Sequence, residues 1–596
     1  MELSALLHLP ESEYAFLDSP DSMTIRLRTK HRDIKMVELI SVDPYLVHKY
    51  DFSSLKQMEV LYSTDLFDYW QIQVKAKYKR LAYSFKITGY DETVVFYSDR
   101  GIFEFNDKYY KDINYYFKLP YFHVVDMYNA PKWVENTIWY QIFPERFYNG
   151  NKTNDPDGVL NWDHRYLPSY HDYFGGDLQG IIDNLDYLKE LGINGIYLTP
   201  IFKANTNHKY DTEDYFEIDP NFGDKETLKD LVDCAHKLGI RIMLDGVFNH
   251  IGYQSKFWQD VLINQEKSKY FDWFHINKTP VPNYNHLHVD EIPSIQTTDY
   301  DTFAFAANMP KLNTTNTEVQ SFILEVLTYW TEEFNIDAWR FDVANEVDHQ
   351  FWKKVHSKLT SINPEVYLLG EAWHSARSWL NGDEFHAVMN YPLTDPIKQF
   401  LFNDEIDAVE FQNRIINQLM IYKEPVNRVQ FNLLDSHDTP RILHFAKENK
   451  DLAKAAMTLM FSLGGSPSIY YGTEIGLTGD HDPDNRRCMI WTTDNQDLQM
   501  LDFTKKLIEF RKNYSRPINY AKLNFKKTSN PLVLLFNKVF ENSSLKFIFN
   551  HSENDYEIDL VNQSILLENL VLQKEERLTI QKNGFVVLVN SNERRD

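Results

Sequence analysis

Near the start of the chain, apolar and polar residues alternate. Met23, Ile25 and Leu27 do so, then Trp70, Ile72 and Val74, then Leu81, Tyr83, Phe85 and Ile87. A period of two marks a strand with one face on a core and the other in water. Residues 1–128 therefore predict an antiparallel β-sandwich. A segment rich in Tyr, Asn and Pro follows, and the pattern then changes. Apolar runs at 138–144, 195–200, 241–248, 337–343, 366–373, 387–390, 429–436 and 468–472 alternate with helical periodicity at 178–191, 225–238, 317–334 and 351–359. This alternation predicts parallel βαβ units, and eight strands predict a (β/α)8 TIM barrel over 129–516 rather than an open sheet. The interval between the third and fourth runs is too long for one crossover. Residues 251–310 within it, rich in Trp, Tyr, His and Pro, predict a lobe inserted after the third strand. Short apolar strands return over 517–596, which predicts a C-terminal antiparallel β-sandwich. The expected fold class is α/β, a barrel flanked by two β-domains.

One barrel strand carries charge inward. In Asp337-Ala338-Trp339-Arg340-Phe341-Asp342-Val343, residues two apart share a face, so Arg340 and Asp342 point one way and Trp339, Phe341 and Val343 the other. Charge on a buried strand is costly unless it is paired or used. Apolar residues outward suit a covering of helices. Arginine and carboxylate inward suit the mouth of a barrel, where active sites gather at the strand ends.

Composition narrows the classes. The chain has 596 residues, a formal net charge of −24 and a 15% aromatic share. The acidity argues against nucleic acid or an anionic membrane as partner. Cys234 and Cys488 alone support no disulfide framework. The start lacks a basic segment followed by an apolar run, and no stretch approaches a membrane span, so a cytoplasmic protein is expected. No His-Glu-x-x-His, P-loop or Gly-x-Gly-x-x-Gly occurs, which disfavours a zinc hydrolase or nucleotide binding.

The ends of several strands carry a constellation. The third gives Asp245-Gly246-Val247-Phe248-Asn249-His250, the fourth Arg340 and Asp342, the fifth Gly370-Glu371-Ala372-Trp373-His374 and the seventh Asp435-Ser436-His437-Asp438. Acids, histidines and an arginine at the C-terminal ends of one barrel are hard to explain by packing. These four segments resemble the signature regions of the α-amylase superfamily, in the same order. Met309-Pro310-Lys311-Leu312-Asn313 and Tyr140-Gln141-Ile142-Phe143-Pro144-Glu145-Arg146-Phe147 resemble motifs of its neopullulanase, cyclomaltodextrinase and maltogenic amylase subfamily.

The resemblance implies a retaining glycoside hydrolase acting on α-1,4-glucosidic bonds, with α-1,6 bonds open, in cyclodextrins, pullulan and malto-oligosaccharides. It implies Asp342 as nucleophile, Glu371 as acid and base, and Asp438 as a third acid gripping sugar hydroxyls. Arg340 would orient Asp342. His250 and His437 would bind hydroxyls, Tyr210 would stack under the reacting sugar, and Asp482 with Arg486 would form a second hydroxyl-binding pair. Trp373 would shape the cleft, and Glu346 would bias the acceptor between water and sugar. The family also carries calcium, with ligands matching Asn149, Asn151, Asn154, Asp155, Gly175 and Asp177. Asn151 stands where Asp is frequent, which removes one charge from an oxygen site. Likeness to the family further implies a homodimer through the N-terminal domain. Two competing readings remain: a 4-α-glucan transglycosylase using the same intermediate, and a non-catalytic glucan-binding scaffold. Retention of Asp342, Glu371 and Asp438 disfavours the second.

Overall fold

The computed structural model of the protein describes residues 1–46, 55–403 and 405–590. They form two compact units. The first holds Met1–Asn129, Leu380–Gly382 and Ile406–Asn427, and the second the rest of the described chain.

The first unit contains two antiparallel sheets, of four and six strands. The alternating residues do what their period demands. Ser22–Lys30 pairs with Phe67–Lys75 along its length, with Ile25 opposite Ile72 and Leu27 opposite Trp70. Ile25, Leu27, Trp70, Tyr83, Phe85 and Ile87 are buried in one core. This unit also takes a helix from far along the chain, Ala408–Met420, capped by Asp407. Asn413 exchanges two hydrogen bonds with Asp65, of 3.2 and 3.1 Å, and Arg26 Nη1 donates to the Tyr422 carbonyl at 3.1 Å. A division at residue 128 does not foresee this excursion. The helix buries Phe411, Ile415 and Ile416, and periodicity gives the apolar face without saying what covers it.

In the second unit eight parallel strands form the barrel: β1 (Trp139–Ile142), β2 (Gly195–Leu198), β3 (Arg241–Gly246), β4 (Ala338–Phe341), β5 (Tyr367–Gly370), β6 (Ala387–Val388), β7 (Phe431–Asn432) and β8 (Ser466–Tyr470). Their order is β6-β5-β4-β3-β2-β1-β8-β7. A bridge between Met389 and Phe431 joins the two ends, so the sheet closes on itself. Seven of the eight strands are shorter than the apolar runs, and β4 and β5 end directly before Asp342 and Glu371. Helices cover the outside as the strand pattern requires: Trp339 Nε1 donates to Thr331 Oγ1 at 3.0 Å, and Phe341 packs 4.8 Å from Trp352.

Val343 departs from the expectation. The strand ends at Phe341, and Val343 takes a left-handed backbone, φ 44° and ψ 41°. It lines the cleft with Asp342 instead of facing the helices. The helical stretch at 178–191 is also two helices, Leu178–Asp183 and Leu185–Leu191. Asn184 breaks it, its Nδ2 donating to the Gly180 carbonyl at 2.8 Å. Such local side-chain bonds compete with the helix ladder. An unforeseen hairpin, Phe202–Ala204 with Thr212–Ile218, follows β2. The inserted lobe contains the helix Lys256–Asn264. It is tied to the end of β3 by bonds from Ile251 N to the Pro310 carbonyl and from Leu312 N to the Asn249 carbonyl, at 3.1 and 3.0 Å. The C-terminal region is an antiparallel sheet of six strands, with Val533, Ile548, Leu578, Ile580, Val586 and Leu588 in its core.

Candidate active site

Strand register assembles the centre of the site. Asp245 on β3 lies beside Arg340 on β4. Phe341 lies beside Gly370 on β5, which sets Glu371 one residue beyond the strand. Arg340 is fully buried. Its Nη1 donates to both oxygens of Asp245 at 2.9 Å and to Asp342 Oδ1 at 2.7 Å. Its Nη2 pairs with Glu371 Oε2 at 2.8 Å. One guanidinium thus faces three carboxylates. Burial pushes the Asp342 carboxyl well above its usual range, and the Arg340 charge opposes this. The same balance leaves Asp245 at about 6. Converging acids with one cation between them favour a proton held within the cluster, and an acid-and-nucleophile pair needs that.

Glu371 is held from three sides. Besides Arg340, the backbone N–H of Val343 donates to Oε2 at 2.9 Å, and the indole Nε1–H of Trp373 donates to Oε1 at 3.0 Å. The Trp373 ring lies flat on Tyr391, centroids 3.7 Å apart, and is 52% exposed.

A cleft of about 420 Å³ opens over these groups, lined by Asp342, Glu371, Asp438, Tyr210, His250, Trp373, Glu346, Asp482 and Arg486. Nine of the residues named from sequence therefore share one cavity, with Arg340 and His437 directly beneath it. Tyr210 stacks on His437 at 5.3 Å and 3°. Gln141 Nε2 donates to His437 Nδ1 at 2.6 Å, which leaves Nε2 to donate to the Tyr210 hydroxyl. That hydroxyl donates to Asp245 Oδ2 at 3.0 Å. Burial and the Arg340 charge hold His437 well below the ordinary imidazole range, and burial lowers His250 to about 4. Both rings are neutral at pH 7. Asp438 lies 3.3 Å from His437 Nε2 and 3.9 Å from Arg486 Nη2. Arg486 Nη1 pairs with Asp482 at 3.0 Å and its Nε donates to the His437 carbonyl at 3.0 Å. Lys311, from the Met309–Asn313 motif, pairs with Glu346 and donates to Asn249 Oδ1 at 2.7 Å.

Sequence reasoning gave no role to Tyr170, His208, Phe303 and Asn345, which also line the cleft. Phe303 stacks on His250 at 5.2 Å. Nothing in the lobe's sequence marks it out among many aromatics. Asp245 was visible at a strand end, but its bond to Arg340 depends on the β3–β4 register.

The oxygen-rich loop is built around Asp177, which caps the helix Leu178–Asp183. Asp177 accepts from Gly150 N at 3.1 Å, Asn151 N at 2.8 Å and Gly180 N at 2.6 Å, and it hydrogen-bonds Asn154. Asn149 Nδ2 donates to Asp155 Oδ1 at 2.7 Å. A side chain at Gly175, where φ is +79°, would collide with Asn149 and Asp155. Asn149 Oδ1 and Asn154 Oδ1 are buried with no hydrogen-bond partner. Buried orphan acceptors beside carboxylates fit a hard cation. Asn151 Oδ1 is engaged elsewhere, accepting from Thr153 N at 3.1 Å and Thr153 Oγ1 at 2.7 Å. Among the described residues no cluster of three or more His, Cys, Asp or Glu is placed to hold a metal, so a calcium here would rest largely on amide and carbonyl oxygens.

Comparison with known proteins gives a consistent result. The family described as "Alpha amylase, catalytic domain" matches residues 141–541, and "Alpha amylase, N-terminal ig-like domain" matches 1–123. The "Intracellular maltogenic amylase" of Bacillus subtilis (strain 168) is 43% identical, covering 99% of both chains. The "Cyclomaltodextrinase" of Geobacillus thermopakistaniensis (strain MAS1) is 46% identical, covering 94% of this chain and 93% of the relative. A solved structure titled "Cyclomaltodextrinase" superposes with a TM-score of 0.89 at 37% identity, over 99% of this chain and 100% of the other.

Proposed function

The chain belongs to the α-amylase family, and from that premise we propose that it is a retaining hydrolase of α-1,4-glucosidic bonds in cyclodextrins, pullulan and malto-oligosaccharides. The observation that carries this reading is the placement of Asp342 and Glu371 on one guanidinium at the floor of a solvent-open cleft. Two carboxyl groups are what glycosidic cleavage with retention requires. Asp342 attacks the anomeric carbon while Glu371 gives its proton to the bridging oxygen. Water then displaces Asp342, with Glu371 taking the proton back. In this mechanism the two carboxyls lie about 5–5.5 Å apart. Asp438 takes sugar hydroxyls on one side, and Asp482 with Arg486 takes the next ring; His437 and His250 would join by exchanging the bonds their ring nitrogens make to Gln141, Tyr210 and Asn249. Neutral imidazoles suit that task, since they donate and accept without adding charge. The flat rings of Tyr210 and Trp373 offer stacking faces for pyranoses. Glu346 is assigned to the choice of acceptor, supported by its position on the cleft wall.

Calcium is the proposed structural cofactor. Asn149, Asn154, Asp155, the Gly175 carbonyl and Asp177 would hold it, and Asn151 would join by giving up its own turn. It would pin the loop after β1 to the start of the helix Leu178–Asp183 and take no part in the chemistry. We further assign a cytoplasmic location, in line with the name of the Bacillus subtilis relative. Among the described residues no helix is long and apolar enough to cross a membrane. A homodimer through the N-terminal domain is part of the proposal, supported by exposed Tyr45, Leu66, Tyr90 and Val125, and sedimentation measures it directly.

The deciding experiment is a product profile on γ-cyclodextrin, pullulan and soluble starch, with anomeric configuration followed by NMR. Small α-configured products are expected. An inverted first product, or no cleavage of any of the three, would overturn the proposal.

A further inference from the structure

The two oxygens of Glu371 have different surroundings. Oε2 accepts the Val343 N–H at 2.9 Å and forms an ion pair with the Arg340 guanidinium at 2.8 Å. Oε1 takes the indole N–H of Trp373 at 3.0 Å. Each donor is fixed by something other than Glu371. A β-branched residue in the left-handed region is strained, and Val343 at φ 44° turns its N–H onto Oε2 directly after Asp342. The Trp373 ring is clamped on Tyr391 at 3.7 Å and 6°, so its N–H has little freedom.

We propose that Trp373 is a positioning residue for proton transfer, its indole N–H holding Oε1 of Glu371 as the proton-carrying oxygen while Val343 and Arg340 anchor Oε2. This rests on the reading of Glu371 as acid and base. A carboxylate accepts a hydrogen bond more strongly than a carboxylic hydroxyl does. The indole bond therefore tightens as the proton leaves Oε1 for the bridging oxygen, and a contact that strengthens along the reaction lowers the barrier. The role is separate from sugar stacking, which uses the face of the ring and not its N–H.

The balance of bonds supplies a test. With maltotriose, the Asp342–C1 bond forms, the C1–O bond breaks and the proton of Glu371 goes to the leaving oxygen. With α-maltosyl fluoride, the C1–F bond breaks and fluoride leaves as an anion, so this step needs no proton. Two variants are compared on both substrates: Trp373→Phe, and the full chain with the Trp373 indole replaced by benzothiophene, which keeps the ring stack and loses only the N–H. Turnover of maltotriose is read against the first-turnover burst of fluoride.

Both variants are expected to lose roughly tenfold or more in kcat on maltotriose. The fluoride burst should stay within about threefold of the parent. Glu371→Gln serves as the control and should show the same selectivity in larger measure. Equal losses on the two substrates in the Trp373 variants, with Glu371→Gln still selective, would overturn the positioning role and leave the acid assignment standing. Selectivity in Trp373→Phe without it in the benzothiophene protein would also overturn it, since the N–H would not be the cause. A Glu371→Gln protein that loses both substrates alike would instead overturn the acid assignment.

Discussion

Arg340→Lys isolates the electrostatic centre of the site. The arginine makes bonds of 2.9, 2.9 and 2.7 Å from one nitrogen to Asp245 and Asp342 and pairs with Glu371 at 2.8 Å from the other. An ammonium has one nitrogen at the end of a shorter stem and cannot span both sides of that fork. At least one carboxylate is left buried without its cation, which costs about 3–5 kcal/mol of stability. The fate of Asp342 gives a sharper signal. Burial already pushes it up, and the Arg340 charge is the main force holding it down. Weakening that force raises it further. The nucleophile then ionises only at higher pH, so the acidic limb of kcat/KM moves to higher pH. The loss in rate at neutral pH should be about 10²–10³-fold, the scale of removing a preorganised charge partner. Stability should move the opposite way with pH. A carboxyl with a raised folded-state value contributes stability below its unfolded value and loses it as pH rises through the folded value, so the deficit of the variant shrinks on acidification. The measurements are kcat/KM on maltotriose from pH 4.5 to 9 and urea unfolding over the same range. An acidic limb that stays in place, with stability unchanged, would refute this account of the cluster.

Three further outcomes are expected. Asp342→Asn should lower kcat/KM at least about a thousandfold with little change in the unfolding midpoint, because the reaction loses its nucleophile while the packing is kept. Calcium at a hundred times its Kd should raise stability by about 2.7 kcal/mol, and Asn154→Ala should diminish that gain; thermal unfolding with calcium and with chelator measures both. His8, buried between the Arg26 carbonyl at 2.7 Å and the Tyr83 hydroxyl at 3.0 Å, is lowered to about 4 by burial. The unfolded chain protonates it near 6.5 and the folded chain does not until about 4, so it removes stability as pH falls through that window. His8→Gln should flatten the pH slope of unfolding there by about 1.4 kcal/mol per unit.

The residues that sequence revealed and those it hid differ by the physics that places them. Arg340 and Asp342 were legible as inward charge because a period of two fixes the face of a strand, and Glu371 as an acid at a strand end where chemistry gathers; their separate roles came from the resemblance to the family. Trp339 and Phe341 faced the helices by that same period. Val343 broke that rule two residues past the strand, where strand periodicity no longer constrains the chain. Its left-handed turn brings a backbone N–H to Glu371, and no side-chain pattern encodes this. Asp245 was visible as an acid, but its share of Arg340 depends on which residues of β3 and β4 lie side by side. Parallel pairing leaves no turn signal from which that register could be read. The helix Ala408–Met420 shows the same limit at larger scale: its amphipathic face is local information, while its burial with the N-terminal sheets comes from residues some 350 positions away in sequence, such as Asp65 to Asn413. Where one element determines position, the sequence speaks; where two must meet, as Trp373 and Glu371 do across two residues and Tyr391 does beneath them, only the folded geometry says which atoms share a proton.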